Sequence, residues 1–224
     1  PAKTYANGYK VSVDGTVIAE TTDAVEMTTE GVKVILNEPA VDENTGEYQI
    51  ATSADLLWFA KEVNSGTDFE GKTLVMTQDI NMSGIPWTPI AKDGKLFKGT
   101  FDGQDHTISN LKVVATDKSP VGLFASNRGL IKNVKMQNVD IKGYYKAGAI
   151  VGDGLCSRVE SCSVDGGSIT IEPLNKDDGN HAGGIVGYLS AEPTAYVKDC
   201  SVSNLTIKAY RDLGGIAGTA TGGT

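Results

Sequence analysis

Three arginines, Arg128, Arg158 and Arg211, are all that the 224 residues contain, and no basic stripe accompanies them. With a formal net charge of -8 the chain is poorly suited to neutralising phosphates, which argues against nucleic acid as a partner. No run reaches the roughly 18 apolar residues of a membrane-spanning helix, so no membrane-spanning segment is expected. The two histidines, His106 and His181, lie far apart, and Cys156, Cys162 and Cys200 lack metal-ligand spacing. Neither a zinc site nor any other cofactor is expected. The chain also lacks an initiator methionine and a charged, then apolar, leader, and it stops at Thr224 inside a repeat. The expectation is a mature or excised segment of a longer protein.

Glycine, by contrast, is abundant: 27 of 224 residues, against a usual share of about 7%. Much of it falls in one hexamer spelled three times, AGAIVG from Ala147, AGGIVG from Ala182 and LGGIAG from Leu213. Two looser copies precede these, Gly99-Thr-Phe101-Asp-Gly103 and Gly122-Leu-Phe124-Ala-Ser126, giving steps of 23, 26, 35 and 31 residues. A second pattern keeps the same order: Ile108-x-Asn110-Leu111-x-Val113, Met136-x-Asn138-Val139-x-Ile141 and Val202-x-Asn204-Leu205-x-Ile207. The copy from Val164 to Ile169 and Ile171 fits it after a two-residue insertion.

A unit of this length points to a solenoid or a propeller. Alternation of period two, as in Val134-x-Met136, calls for strands, and two or three short strands per unit are too few for a propeller blade. The expected fold is all-β, a parallel β-helix in which each strand pairs with its counterpart one coil away. Phe101, Phe124, Ile150, Ile185 and Ile216 are expected to form one inward ladder, with the flanking glycines at sharp corners. Asn110, Asn138 and Asn204 are expected at a left-handed corner, and Cys162 and Cys200 as stacked free thiols.

The segments YQIATSADLLWFAKEVNSG (48–66), GKTLVMTQDINMSGIPWTPI (71–90) and FKGTFDGQDHTISNLKV (97–113), followed by the glycine-rich units, resemble bacterial, Bacteroidetes-type surface proteins with GLUG-motif repeats. Similar repeats occur in the non-catalytic region of immunoglobulin A proteases. The resemblance implies a right-handed β-helix and a location outside the cell or on its surface, outer-membrane anchored in the parent protein. It implies no catalytic residue. Thr52-Ser53 can cap a helix over 53–64 whose Leu56, Phe59, Ala60 and Val63 share a face suited to covering the open end of the coils. Residues 1–47 carry β-like runs at Tyr9–Val13, Thr16–Ala19 and Val32–Leu36, either a small module or an added cap layer. The stretch Asp42 to Gly46 reads as a linker to a second unit, 48–224.

Little in the chain promises catalysis. A polysaccharide lyase or glycoside hydrolase on this scaffold would need paired acids at matching positions of adjacent coils. The aligned positions hold Lys132, Glu160 and Lys198, or Asn133, Ser161 and Asp199. Asp102, Asp105 and His106 read as a turn, and the sequons at Asn81 and Asn204 as incidental. Asp177-Asp178-Gly179 offers too few oxygens for calcium. The expected function is therefore a non-enzymatic, adhesin-like module presenting loops to a glycan or host surface protein; the alternatives are a polysaccharide lyase or glycoside hydrolase, or a purely structural stalk of a larger surface protein. The long steps place residues 172–181 and 188–196 outside the coil, and Asp177, Asp178, His181, Tyr188 and Tyr196 on these loops are the expected contacts. Tyr144, Tyr145 and Tyr210 join Tyr188 and Tyr196 as candidates for an exposed aromatic binding face on the same coils.

Overall fold

The structure is a computed structural model, describing residues 3–5, 9–13, 16–21, 25–28, 31–34, 36–172, 174, 180–190, 194–221. It is mostly strand, with α1 (Ser53–Ser65) as the helix among the described residues. Four parallel sheets are visited in a fixed order. A pass starts in a first sheet, where Tyr48–Ile50, Thr73–Met76, Thr100–Asp102, Leu130–Lys132, Arg158–Glu160 and Tyr196–Lys198 lie side by side. It continues in a second sheet through Ile80–Asn81, Thr107–Ser109, Lys135–Gly143, Ser163–Ile171 and Ser201–Lys208, with Lys112–Val114 added against Lys135–Gly143. Lys146–Gly148, His181–Gly183 and Asp212–Gly214 make the third sheet; Phe124–Ser126, Val151–Gly154, Val186–Leu189 and Ala217–Ala220 make the fourth.

Helix α1 forms where the capping residues place it. The Thr52 hydroxyl accepts the Asp55 N–H at 3.2 Å, and the Asp55 carboxylate accepts the Thr52 N–H at 2.9 Å, a reciprocal pair that satisfies two orphan donors. Gly66, left-handed at φ 118°, closes the other end. Leu56, Phe59, Ala60 and Val63 are buried. Phe59 meets the rings of Phe69, Phe97, Phe101 and Phe124 at 5.4, 5.3, 5.6 and 6.1 Å, so the helix face fills the space between the first and fourth sheets with aromatic contact. The strands described before residue 35 pair antiparallel, whereas the four sheets that follow are parallel. Asp42 to Gly46 is a closed turn, in which the Asp42 carboxylate takes the Asn44 and Thr45 amides at 2.8 and 2.9 Å.

The expected ladder is corrected in two places. Phe101 belongs to the first sheet, in register with Leu74 and Ile131, and Phe124 to the fourth, beside Val151 rather than Ile150. Ile150, Ile185 and Ile216 do stack, each immediately before the register row Val151, Val186 and Ala217. The Gly-x-Phe-x-Gly letters at 99–103 thus serve a different contact from those of the hexamers. The copy at Val164 needs no insertion either. Asp165, Gly167 and Ile169 pair with Gln137, Val139 and Ile141, so Gly166 stands where the other copies have asparagine.

The hexamer glycines flank the bends at 149–150, 184–185 and 215–216 that carry the chain from the third sheet to the fourth, although none has a positive φ. A Cβ built on Gly148 would lie 2.6 Å from Ile185 O and 2.7 Å from Gly187 N; one on Gly187, 2.6 Å from Gly152 O and 2.7 Å from Ala147 N. On Gly183 it would lie 2.6 Å from Gly218 N, and on Gly218, 2.6 Å from Ala182 N. The third and fourth sheets therefore touch backbone to backbone, with no side chain between them.

The asparagine row is where it was expected. Asn110, Asn138 and Asn204 have φ of 59°, 53° and 52°, and Gly166 has 79°. Asn110 Nδ2 donates to Asn81 Oδ1 at 2.9 Å and Asn204 Nδ2 to Asp165 Oδ1 at 2.7 Å, each reaching back one pass. A second corner row, Asn133, Ser161 and Asp199, has φ of 54°, 53° and 53°. Beside it, Asp102, Lys132, Glu160 and Lys198 alternate in charge down the first sheet, with Lys132 Nζ 3.0 Å from the buried Asp102. Cys162 and Cys200 sit one pass apart as free thiols, and the neighbouring Cys200 thiol together with burial pushes Cys162 up. For Asn138→Val the expected loss in a urea melt is about 1–2 kcal/mol, because a β-branched residue resists a left-handed backbone. Asn138→Gly should change stability by no more than about 0.5 kcal/mol.

Candidate functional site

Contact between the third and fourth sheets sets two rows of side chains against each other. Lys146, His181 and Asp212 are in register on the third sheet, each immediately before a hexamer. Asp153, Tyr188 and Thr219 are in register on the fourth, each immediately after one. Since the backbones touch, the flanking side chains meet. Lys146 Nζ lies 2.8 Å from Asp153 Oδ2 and sits over the rings of Tyr188 at 4.2 Å and Tyr145 at 5.0 Å. An ammonium held between a carboxylate and two aromatic faces is well compensated for its partial burial.

One pass on, His181 Nδ1 is 2.9 Å from Asp212 Oδ2 and 2.8 Å from Thr219 Oγ1. Its ring lies 5.1 Å from Tyr188 and 6.1 Å from Tyr145. The Tyr188 hydroxyl is 3.1 Å from Thr221 Oγ1. Asp153 Oδ1 is buried without a hydrogen-bond partner, an unmet acceptor in an otherwise satisfied cluster. The result is a half-buried face of two tyrosines, a histidine, a lysine and two carboxylates drawn from three successive passes.

The expected contact residues are only partly brought together. His181 and Tyr188 sit on strands, not on loops, and they meet on this face. Tyr196 is on a strand of the first sheet, where its hydroxyl donates to Glu160 Oε2 at 3.0 Å; burial and that carboxylate push its phenol up. Asp177 and Asp178 lie outside the described residues. Tyr145 was among the exposed aromatics singled out in the sequence, but Lys146, Asp153 and Asp212 were not expected. A signal for these three was present in the sequence, as the residues bracketing each hexamer are Lys and Asp, His and Tyr, Asp and Thr. Among the described residues no group of three or more His, Cys, Asp or Glu side chains could hold a metal ion, and no helix is long and apolar enough to cross a membrane.

No protein-family model matches the chain. Halomucin of Haloquadratum walsbyi is 28% identical over 156 residues, which covers 62% of this chain and 2% of halomucin. A crystal structure from Bacteroides ovatus, of a protein provisionally named an immunoglobulin A1 protease, is similar with a TM-score of 0.55 at 17% identity. That similarity covers 84% of this chain and 65% of the other, and it shows a shared fold. The chain thus spans less than two thirds of either protein.

The face has a pH dependence of defined sign. Burial is the main cause that lowers the His181 imidazole below its ordinary 6.5; Asp212 opposes it, and the Lys146 and Arg211 charges reinforce it. The unfolded chain therefore binds this proton more readily than the folded one. Its contribution to stability is complete above about pH 6.5 and is lost as the pH falls through the folded value. In urea melts at pH 7 and pH 5, His181→Gln should lose less stability between the two than the unaltered chain. Equal losses would assign the acid sensitivity to other groups.

Proposed function

We propose that the four stacked sheets form a right-handed parallel β-helix capped by α1, and that the chain is a GLUG-type, non-enzymatic binding module of a larger extracellular or cell-surface protein. Residues 48–224 are the capped helix and 1–47 a small added β-rich module. The repeated order of sheets supports the helix, as does the similarity to the Bacteroides ovatus protein. The likeness to a small part of halomucin fits a unit used inside a longer chain.

The observation that carries the binding role is the pair of rows around the hexamers. Tyr145 and Tyr188 present ring surface, and Lys146, Asp153, His181 and Asp212 present donors and acceptors at fixed spacing on a rigid scaffold. Aromatic faces beside fixed polar groups suit a glycan, whose rings carry an apolar C–H face and peripheral hydroxyls. Both carboxylates are engaged by basic partners, Asp153 by Lys146 and Asp212 by His181, which favours recognition over acid–base turnover.

A glycan array run with the unaltered chain tests this reading. Saturable binding is expected, weakened about tenfold or more in Tyr145→Ala and Tyr188→Ala, with the melting temperature of at least one variant close to that of the unaltered chain. Binding unchanged in both variants would move the site elsewhere, and no captured glycan or host surface protein would favour the stalk.

A further inference from the structure

The strand Lys112–Val114 is paired on one side only. It lies in parallel register on Asp140–Lys142 and on no other described strand, although its neighbour in the chain, Thr107–Ser109, is paired on both sides. The preceding pass explains the gap. Met82 N–H still bonds Ser109 O at 2.8 Å, but the chain then turns away at Gly84, φ 73°, where Ile85 N–H closes on Met82 O at 3.1 Å. Beyond the turn, Pro86 and Pro89 bring no N–H to a ladder.

Which backbone groups are left open follows from the bonds that are made. Asp140 N–H donates to Leu111 O at 2.9 Å and Ala115 N–H to Lys142 O at 2.9 Å. Residues alternate in a parallel ladder, so Lys112 and Val114 aim their N–H and C=O at the opposite edge. That edge borders a cavity of 210 Å³ between Val114, Ala115 and Thr116 on one side and Trp87, Pro89 and Lys92 on the other. Its far wall is fixed in place. Trp87 Nε1 donates to Leu123 O at 3.2 Å, while Asn64 on α1 donates to Pro89 O at 3.1 Å and accepts the Lys92 N–H at 2.9 Å. Val114 is 57% exposed.

We propose that this groove takes an extended, uncharged segment of a partner protein. The segment's backbone pairs with the N–H and C=O of Val114, and one of its side chains enters the cavity. Open ladder groups select a strand over a helix or a sugar, and the cavity is smaller than the roughly 300–1,000 Å³ typical of small-molecule sites. The charges on the rim are already matched, Lys92 with Asp117 at 3.4 Å and Lys112 with Asp140 at 2.9 Å, so an uncharged segment is the electrostatic complement. This edge is separate from the tyrosine face and does not depend on its role.

The probe is a fluorescein-labelled, end-blocked Thr-Val-Thr-Val-Thr peptide titrated with the full chain and read by fluorescence polarisation. Saturable binding is expected, lowered about tenfold or more in Val114→Pro and held within about twofold in Val114→Thr. Val114→Pro removes an N–H that the sheet does not use, and Val114→Thr controls for the changed side chain. Should that variant fail to fold, peptides methylated at every second backbone nitrogen, in both phases, make the same comparison on the unaltered chain, and one phase should lose binding. Equal binding of both methylated peptides and the parent, equal binding by a folded Val114→Pro, or no saturable binding up to about 1 mM would overturn the proposal. Self-association of the chain that the peptide reverses would also overturn it, assigning the edge to a second copy.

Discussion

Everything distinctive in this chain depends on a contact that has no side chains in it. Where the third and fourth sheets meet, Gly148, Gly152, Gly183, Gly187 and Gly218 each face backbone atoms at distances no Cβ tolerates. Alanine is already too large there, which is why the hexamer returns almost letter for letter while the connections around it vary in length. Close approach also determines what flanks the hexamers. With the two backbones touching, Lys146 and Asp153 come within 2.8 Å, and His181 and Thr219 likewise. The candidate binding face is thus a by-product of the glycine contact.

Parallel register extends this logic along the stack. Each position has a counterpart one pass away, so a property placed once is placed in a row. Left-handed asparagines make a corner row, alternating charges run from Asp102 to Lys198, and apolar rows from Leu74 to Val197 and from Met136 to Val202 form the interior. Individual exposed ion pairs contribute little in water, but unlike charges at matching positions disfavour a slipped register, since a one-residue shift would misalign the whole row. At the first passes the row logic gives way to aromatic filling, with Phe59 of α1 packed among four other rings.

Much of this was legible before any coordinates, and the failures have physical causes. The Thr52 cap, the apolar face from Leu56 to Val63 and Gly66 are local signals, and α1 forms where they put it. Phe101 was misplaced because Gly-x-Phe-x-Gly is a short pattern that two different backbone crossings can satisfy. Gly166 was missed because glycine and asparagine both tolerate a left-handed corner, so a change of letter hid a conserved geometry. Within the face, His181 and Tyr188 were legible as residue types suited to binding. Lys146, Asp153 and Asp212 bracket the hexamers, but that placement reads as a meeting of side chains only once the third and fourth sheets are known to touch.

The glycine contact is tested most directly by unfolding free energies of alanine substitutions at two hexamer glycines, one crowded and one open. Gly183 faces Gly218 N at 2.6 Å from an added Cβ, whereas Gly215 has nothing within 4 Å. Gly183→Ala should cost about 3 kcal/mol, and Gly215→Ala should stay within about 0.5 kcal/mol of the unaltered chain. Similar small losses at both positions would mean that the two sheets do not touch backbone to backbone, and the account of the repeat would fall with that contact.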